Sequence, residues 1–183
     1  MNPAWPIAVL LLPTAAWTKA ETQQCEWGQL VRLVRAASFP ELSKADIRIR
    51  FFESESDYFQ ARFSISRFVF MRKMRYFIRV NSTPALQTAS DESKRAIMAH
   101  ELAHLTYYTS GNRLRLFGLL RLSEKSFRQD FERRTDLEVI RRGYAQGLKQ
   151  YRFWLYQHVP ARALAEKRRD YLSPEEIDEV AKK

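Results

Sequence analysis

The chain has 183 residues, 45% of them hydrophobic and 13% aromatic, with a formal net charge of +10. That is enough apolar material for one folded domain with an appended tail, and it excludes a disordered chain. A single cysteine, Cys25, excludes an intrachain disulfide and a site built on several thiolates.

Residues 1–20 carry one charge, Lys19, and an apolar run from Pro6 to Trp17. The run is shorter than the roughly 20 residues a membrane span needs. It suits a secretory signal cleaved after Ala20, or an uncleaved N-terminal anchor, and implies a secreted, periplasmic or envelope protein. Without Lys19 the remainder carries 30 basic and 21 acidic residues, a net +9. Such a charge suits an anionic membrane or cell-wall surface or an acidic polypeptide. A solvated basic face is preferred here to dedicated nucleic-acid binding.

Residues 21–160 form the expected domain. Glu21 to Ala37 suits a helix with Leu30, Val31, Leu33 and Val34 as its stripe, ended by Pro40. Ile47 to Phe52 and Phe59 to Ser66 alternate as half-buried strands. RFVFMRKMRYFIRVN, Arg67 to Asn81, reads as strand, turn and strand, turning near Arg72 and Lys73. Together these predict three or four antiparallel strands with arginines on the open face. Asn81-Ser82-Thr83 matches a glycosylation acceptor.

After Pro84 the pattern is helical. A helix capped by Thr88 or Ser90 runs to Gly111, and apolar Leu114 to Leu122 reads as core, surface helix or lid. Helices follow over Ser123–Gly143 and Tyr144–His158, stopped by Pro160. Residues 161–183 form a tail whose SPEEIDEV carries Ser173 as N-cap, Pro174 at the first helical position and Glu176 to close a capping box. The fold class is α+β, a small sheet followed by a helical half.

The chemistry lies in AIMAHELAHLTYY, where His100, Glu101 and His104 form H-E-x-x-H. Histidines four apart share one helix face, so both imidazoles can reach one zinc ion. Zinc lowers the pKa of a bound water to near 7, and Glu101 stands where a carboxylate can accept its proton. From Ala96 to Leu105 every other residue is apolar, so the helix is a buried one. The plain alternative is a core helix whose histidines bond to backbone carbonyls.

Three protein ligands and one open position make a catalytic zinc site. Downstream, Glu132 and Asp136 lie one turn apart on the apolar face of their helix, with Val139 and Ile140. A buried cation would explain two like charges there, with Glu132 as ligand and Asp136 behind a histidine. The competing account pairs both acids with arginines at a helix boundary.

HELAH followed by Glu132-Arg133-Arg134-Thr135-Asp136 resembles the gluzincin group of zinc metallopeptidases, of which thermolysin is the familiar member. The resemblance spans about residues 47–158, and only the two motifs are specific. It implies a zincin-like active-site helix, zinc on His100, His104 and Glu132, Glu101 as general base, and Asp136 orienting His100. It also implies a substrate-holding edge strand near Tyr76 to Asn81. The chain is short for the group and lacks the second lobe of the thermolysin-like cleft.

For the residue that steadies the oxyanion, His158 is the first candidate, ahead of Tyr107, Tyr108, Tyr151 and Arg152. The expected activity is hydrolysis of peptide bonds in a protein or peptide substrate. The alternative is a catalytically weak zinc-containing scaffold protein of the envelope. A third reading, a basic surface-binding protein, rests on Arg67, Phe68, Phe70, Arg72, Arg75 and Tyr76.

Overall fold

A computed structural model of the chain describes residues 19–110 and 124–183. The apolar run at Pro6–Trp17, Gly111 and the segment Leu114–Leu122 lie outside the described residues.

Helix α1 (Lys19–Ser38) packs on the sheet and on the motif helix. Its buried stripe is Trp27, Val31 and Val34, spaced four and three apart, whereas Leu33 is 64% exposed. The sequence places Leu33 on the stripe, but a 100° helical step turns it from Val31 and Val34 toward solvent.

Three strands follow: β1 (Asp46–Phe52), β2 (Phe59–Phe63) and β3 (Arg75–Asn81), in the order β1-β3-β2. β2 pairs antiparallel to β3, but β1 pairs parallel to it, with Ile49 opposite Ile78. The sheet is therefore mixed, not wholly antiparallel. Asn81 ties the β1–β2 loop down: its Nδ2 donates to the Ser54 and Asp57 carbonyls at 2.6 and 2.8 Å. That side chain is only 4% exposed, so the amide of the glycosylation triplet is already engaged inside the fold.

The first predicted strand of RFVFMRKMRYFIRVN is instead a short helix, α2 (Ile65–Val69). Ser64 caps it, accepting from the Arg67 amide at 3.5 Å. The chain then turns through Met71 at φ 53° before entering β3. Alternation of apolar and basic residues fits either form over so short a span, and the cap decides it.

Placing β3 at the centre overturns the expected edge strand at Tyr76–Asn81. Tyr76, Ile78 and Val80 are all buried and β3 is bonded on both sides, which leaves β2 as the strand whose free edge faces the motif. The open face is arginine-rich as expected, with Arg79 over the Phe52 ring at 4.5 Å.

Helix α3 (Asp91–Ser110) carries the motif and is the centre of the molecule. Ser90 caps it, accepting from the Ser93 amide at 3.1 Å, while Met98, Ala99, Leu102 and Leu105 are fully buried. Helices α4 (Lys125–Arg141) and α5 (Ala145–His158) pack beside it, joined through Gly143 at φ 89°, a conformation suited to glycine. Gly147 lets α5 approach α3 closely: a Cβ there would sit 2.4 Å from the Glu92 carbonyl oxygen. Gly147→Ala should therefore cost about 1–3 kcal/mol by overpacking, read as a lower midpoint in denaturant unfolding.

The segment after Pro160 is more than a tail with one helix. It forms α6 (Ala161–Asp170) and α7 (Pro174–Ala181), and Leu172 and Ile177 enter the core. The capping box is present: Ser173 Oγ accepts from the Glu176 amide, and Glu176 accepts from the Ser173 amide. The α+β class holds, with a small sheet and a helical half.

Candidate metal centre

The buried helix face sets His100 and His104 one turn apart, their ring centroids 4.7 Å from each other. α4 brings Glu132 to both. Its Oε2 lies 3.0 Å from His100 Nε2 and 3.2 Å from His104 Nε2. Each of the three offers a ligand atom, all within 4.8 Å of one another.

The far side of each ring is also held. His100 Nδ1 is 2.9 Å from Asp136 Oδ1, so in the neutral ring Asp136 fixes the proton on Nδ1 and turns the Nε2 lone pair toward Glu132. His104 Nδ1 is 3.4 Å from Thr135 Oγ1, whose own proton goes to the Phe131 carbonyl at 2.9 Å. That leaves Thr135 as acceptor and gives His104 the same orientation. Thr135 was not read from the sequence, although its place between Glu132 and Asp136 puts it next to the ligand face.

Asp136 is fully buried and fully engaged. Arg152 Nη2 reaches both its oxygens at 2.7 and 2.8 Å, and the Leu172 amide donates to Oδ2 at 2.9 Å. Burial disfavours its charge, but Arg152 and His100 outweigh that and hold its pKa below the usual value. Burial likewise pulls His100 down, yet bonds to Asp136 and Glu132 push it up to about 10. Glu132 sits well below the usual carboxylate range, because the charges and hydrogen bonds of the two histidines exceed its burial cost.

Glu101 lies beside the histidines, 4% exposed, with Oε2 lacking a hydrogen-bond partner among the described residues. Burial raises its pKa, opposed by the charges of His104 and His100 and by the Ala61 amide of β2. A buried carboxylate oxygen without a donor is costly, and Glu101 is among the residues that line an open cleft of about 450 Å³. One wall of that cleft is β2; the opposite wall is α6 and Tyr171. Lys167 of α6 pairs with Asp57 of the β1–β2 loop at 2.6 Å, joining the walls.

No family model, curated protein or solved structure matches this chain.

The oxyanion candidates separate clearly. His158 does not line the cleft: its ring stacks on Trp154 at 4.4 Å and Nδ1 faces the Trp154 carbonyl at 2.8 Å. A histidine closing its own helix in this way is occupied by the helix end. Arg152 is held by Asp136, and Tyr107 packs on Phe131 outside the cleft. Tyr151 is buried among aromatic rings, with Trp154 stacked at 5.7 Å. Tyr108 does line the cleft, stacked 6.4 Å from His104. Tyr171, missed by sequence reasoning, also lines it, edge-on to His100 at 5.8 Å. Its neighbours in sequence form no motif, so only the packing of the C-terminal segment reveals it.

Proposed function

We propose that the chain is a zinc-dependent peptidase. The observation that carries this reading is the convergence of two Nε2 atoms on one Glu132 oxygen, with Glu101 beside them in the lining of the same cleft. Two imidazole nitrogens and a carboxylate are one of the donor sets that catalytic zinc sites use. His100, His104 and Glu132 would hold the ion, oriented by Asp136 and Thr135. When bound, zinc supplies Lewis-acid polarisation of a peptide carbonyl and acidifies water.

The chain's own residues do the rest. The free edge of β2 aligns an extended peptide by backbone hydrogen bonds beside Glu101. Glu101 takes a proton from the attacking water and passes it to the leaving amine. Tyr171 is our candidate donor to the oxygen that gains charge. Burial raises its pKa well above 10, so it stays a neutral hydroxyl able to donate. Tyr171→Phe should lower kcat about 10²-fold or more with little change in KM, as steady-state hydrolysis of a quenched peptide library would read. A rise in KM with kcat unchanged would assign Tyr171 to substrate binding instead.

The ligand set is tested by metal content. Wild-type protein should carry about one zinc per chain, and Glu132→Ala well under half of that after dialysis. Full retention by the variant would sink the assignment.

A further inference from the structure

We propose that the turn between β2 and β3 docks the protein on the surface of an anionic lipid bilayer. Among the described residues, seven large hydrophobic side chains are exposed, and four of them fall between Ile65 and Met71. Ile65, Val69, Phe70 and Met71 are 71%, 62%, 71% and 73% exposed. Scattered exposed apolar residues need no explanation, but a cluster does.

The cluster is built rather than frayed. Ser64 caps α2, and Arg67 Nη1 donates to the Lys73 carbonyl at 3.2 Å across the turn. Met71 holds a left-handed φ of 53°, which costs a side-chain-bearing residue some strain. Charge surrounds the apolar tip. Arg62, Arg67, Arg72, Lys73 and Arg75 fall between residues 62 and 75, with no acid among them. Asp46, which the register sets opposite Arg75, is paired with Arg75 and Arg48 at 2.7 and 3.2 Å.

Apolar side chains at an apex with basic ones behind them match the boundary between acyl chains and anionic head groups. Nucleic acid would satisfy the arginines but offers nothing to Ile65, Val69 and Met71. The tip adjoins the cleft: Phe63 of β2 meets Phe68 at 5.8 Å and Tyr108, a cleft residue, at 5.7 Å. If the peptidase reading also holds, substrates would be taken at the bilayer surface. The docking surface itself does not depend on that reading.

The test is sedimentation of the full chain with vesicles of phosphatidylcholine alone or with about one third phosphatidylglycerol. Anionic vesicles should retain the protein, less so in high salt. Phe70→Ser with Met71→Ser, and separately Arg72→Gln with Lys73→Gln, should each weaken that partition at least about ten-fold, with zinc content unchanged. In Phe70→Trp, added fluorescence should shift to the blue on anionic vesicles. Unchanged partition in both double variants overturns the proposal, whatever the N-terminal apolar run contributes in all of them. So does an unshifted Phe70→Trp, or single-stranded DNA binding that the basic pair supports without vesicle binding. Loss of peptide hydrolysis in wild type would count against the peptidase and leave the vesicle result standing.

Discussion

Glu101→Gln is expected to keep zinc at the wild-type level while peptide hydrolysis falls by about 10²–10⁴-fold. The amide has nearly the shape of the carboxylate and cannot accept the water's proton. Glu101 is 4% exposed, its Oε2 has no hydrogen-bond partner among the described residues, and both histidines are held by Glu132, Asp136 and Thr135, so the ligand set should survive. Its charge also leaves a buried position, and the variant should be no less stable than wild type. The two measurements must be made together, because loss of zinc would produce the same drop in rate for another reason. Full hydrolysis in a zinc-loaded Glu101→Gln protein would remove the proposed mechanism.

The second large effect is on stability. Arg152→Met should destabilise the fold by about 3–5 kcal/mol, since it strands the buried Asp136 charge with one imidazole and one amide. For a chain of this size the melting point should drop by about 10 °C, compared with metal chelated in both proteins. The deficit has a defined pH dependence. Asp136 is held below its ordinary value of 3.8, so its contribution is present above that pH and lost as pH falls through the lower folded value. Without Arg152 the folded pKa rises, and the gap between variant and wild type should narrow in acid. Adding Asp136→Asn to Arg152→Met removes the stranded charge, so the double variant should be clearly more stable than the sum of the singles. Strict additivity would mean that the pair is not energetically coupled.

Much of the site could be read from the sequence, because helical geometry is local. His100 and His104 need only α3 to share a face, and Glu132 and Asp136 need only α4. That the two faces meet is a tertiary fact. The apolar residues beside both motifs predict burial, and the distances from Glu132 to both histidines are the outcome. The failures are equally physical. Strand order depends on pairings far apart in sequence, so β3 reads as an edge and is central. The helix α2 is one turn long, where a serine cap outweighs an alternating pattern. His158 is the first oxyanion candidate in the sequence, but its ring is spent on its own helix end. Tyr171 becomes visible only once the C-terminal segment packs on α4 and α5, and the role of Arg152 as the partner of Asp136 only once α5 packs on α4.

The Leu172 amide on Asp136 ties a later part of a growing chain to side chains delivered before it. While the ribosome has delivered the strands and α3 to α5 but not residues 161–172, the motif helix can form, yet the cleft lacks a wall and Asp136 lacks the Leu172 amide among its donors. Such a nascent chain has its histidines and its base without the enclosure that positions a peptide against them. If the chain is the peptidase proposed above, hydrolytic competence would therefore arrive only after residues 161–172 have packed.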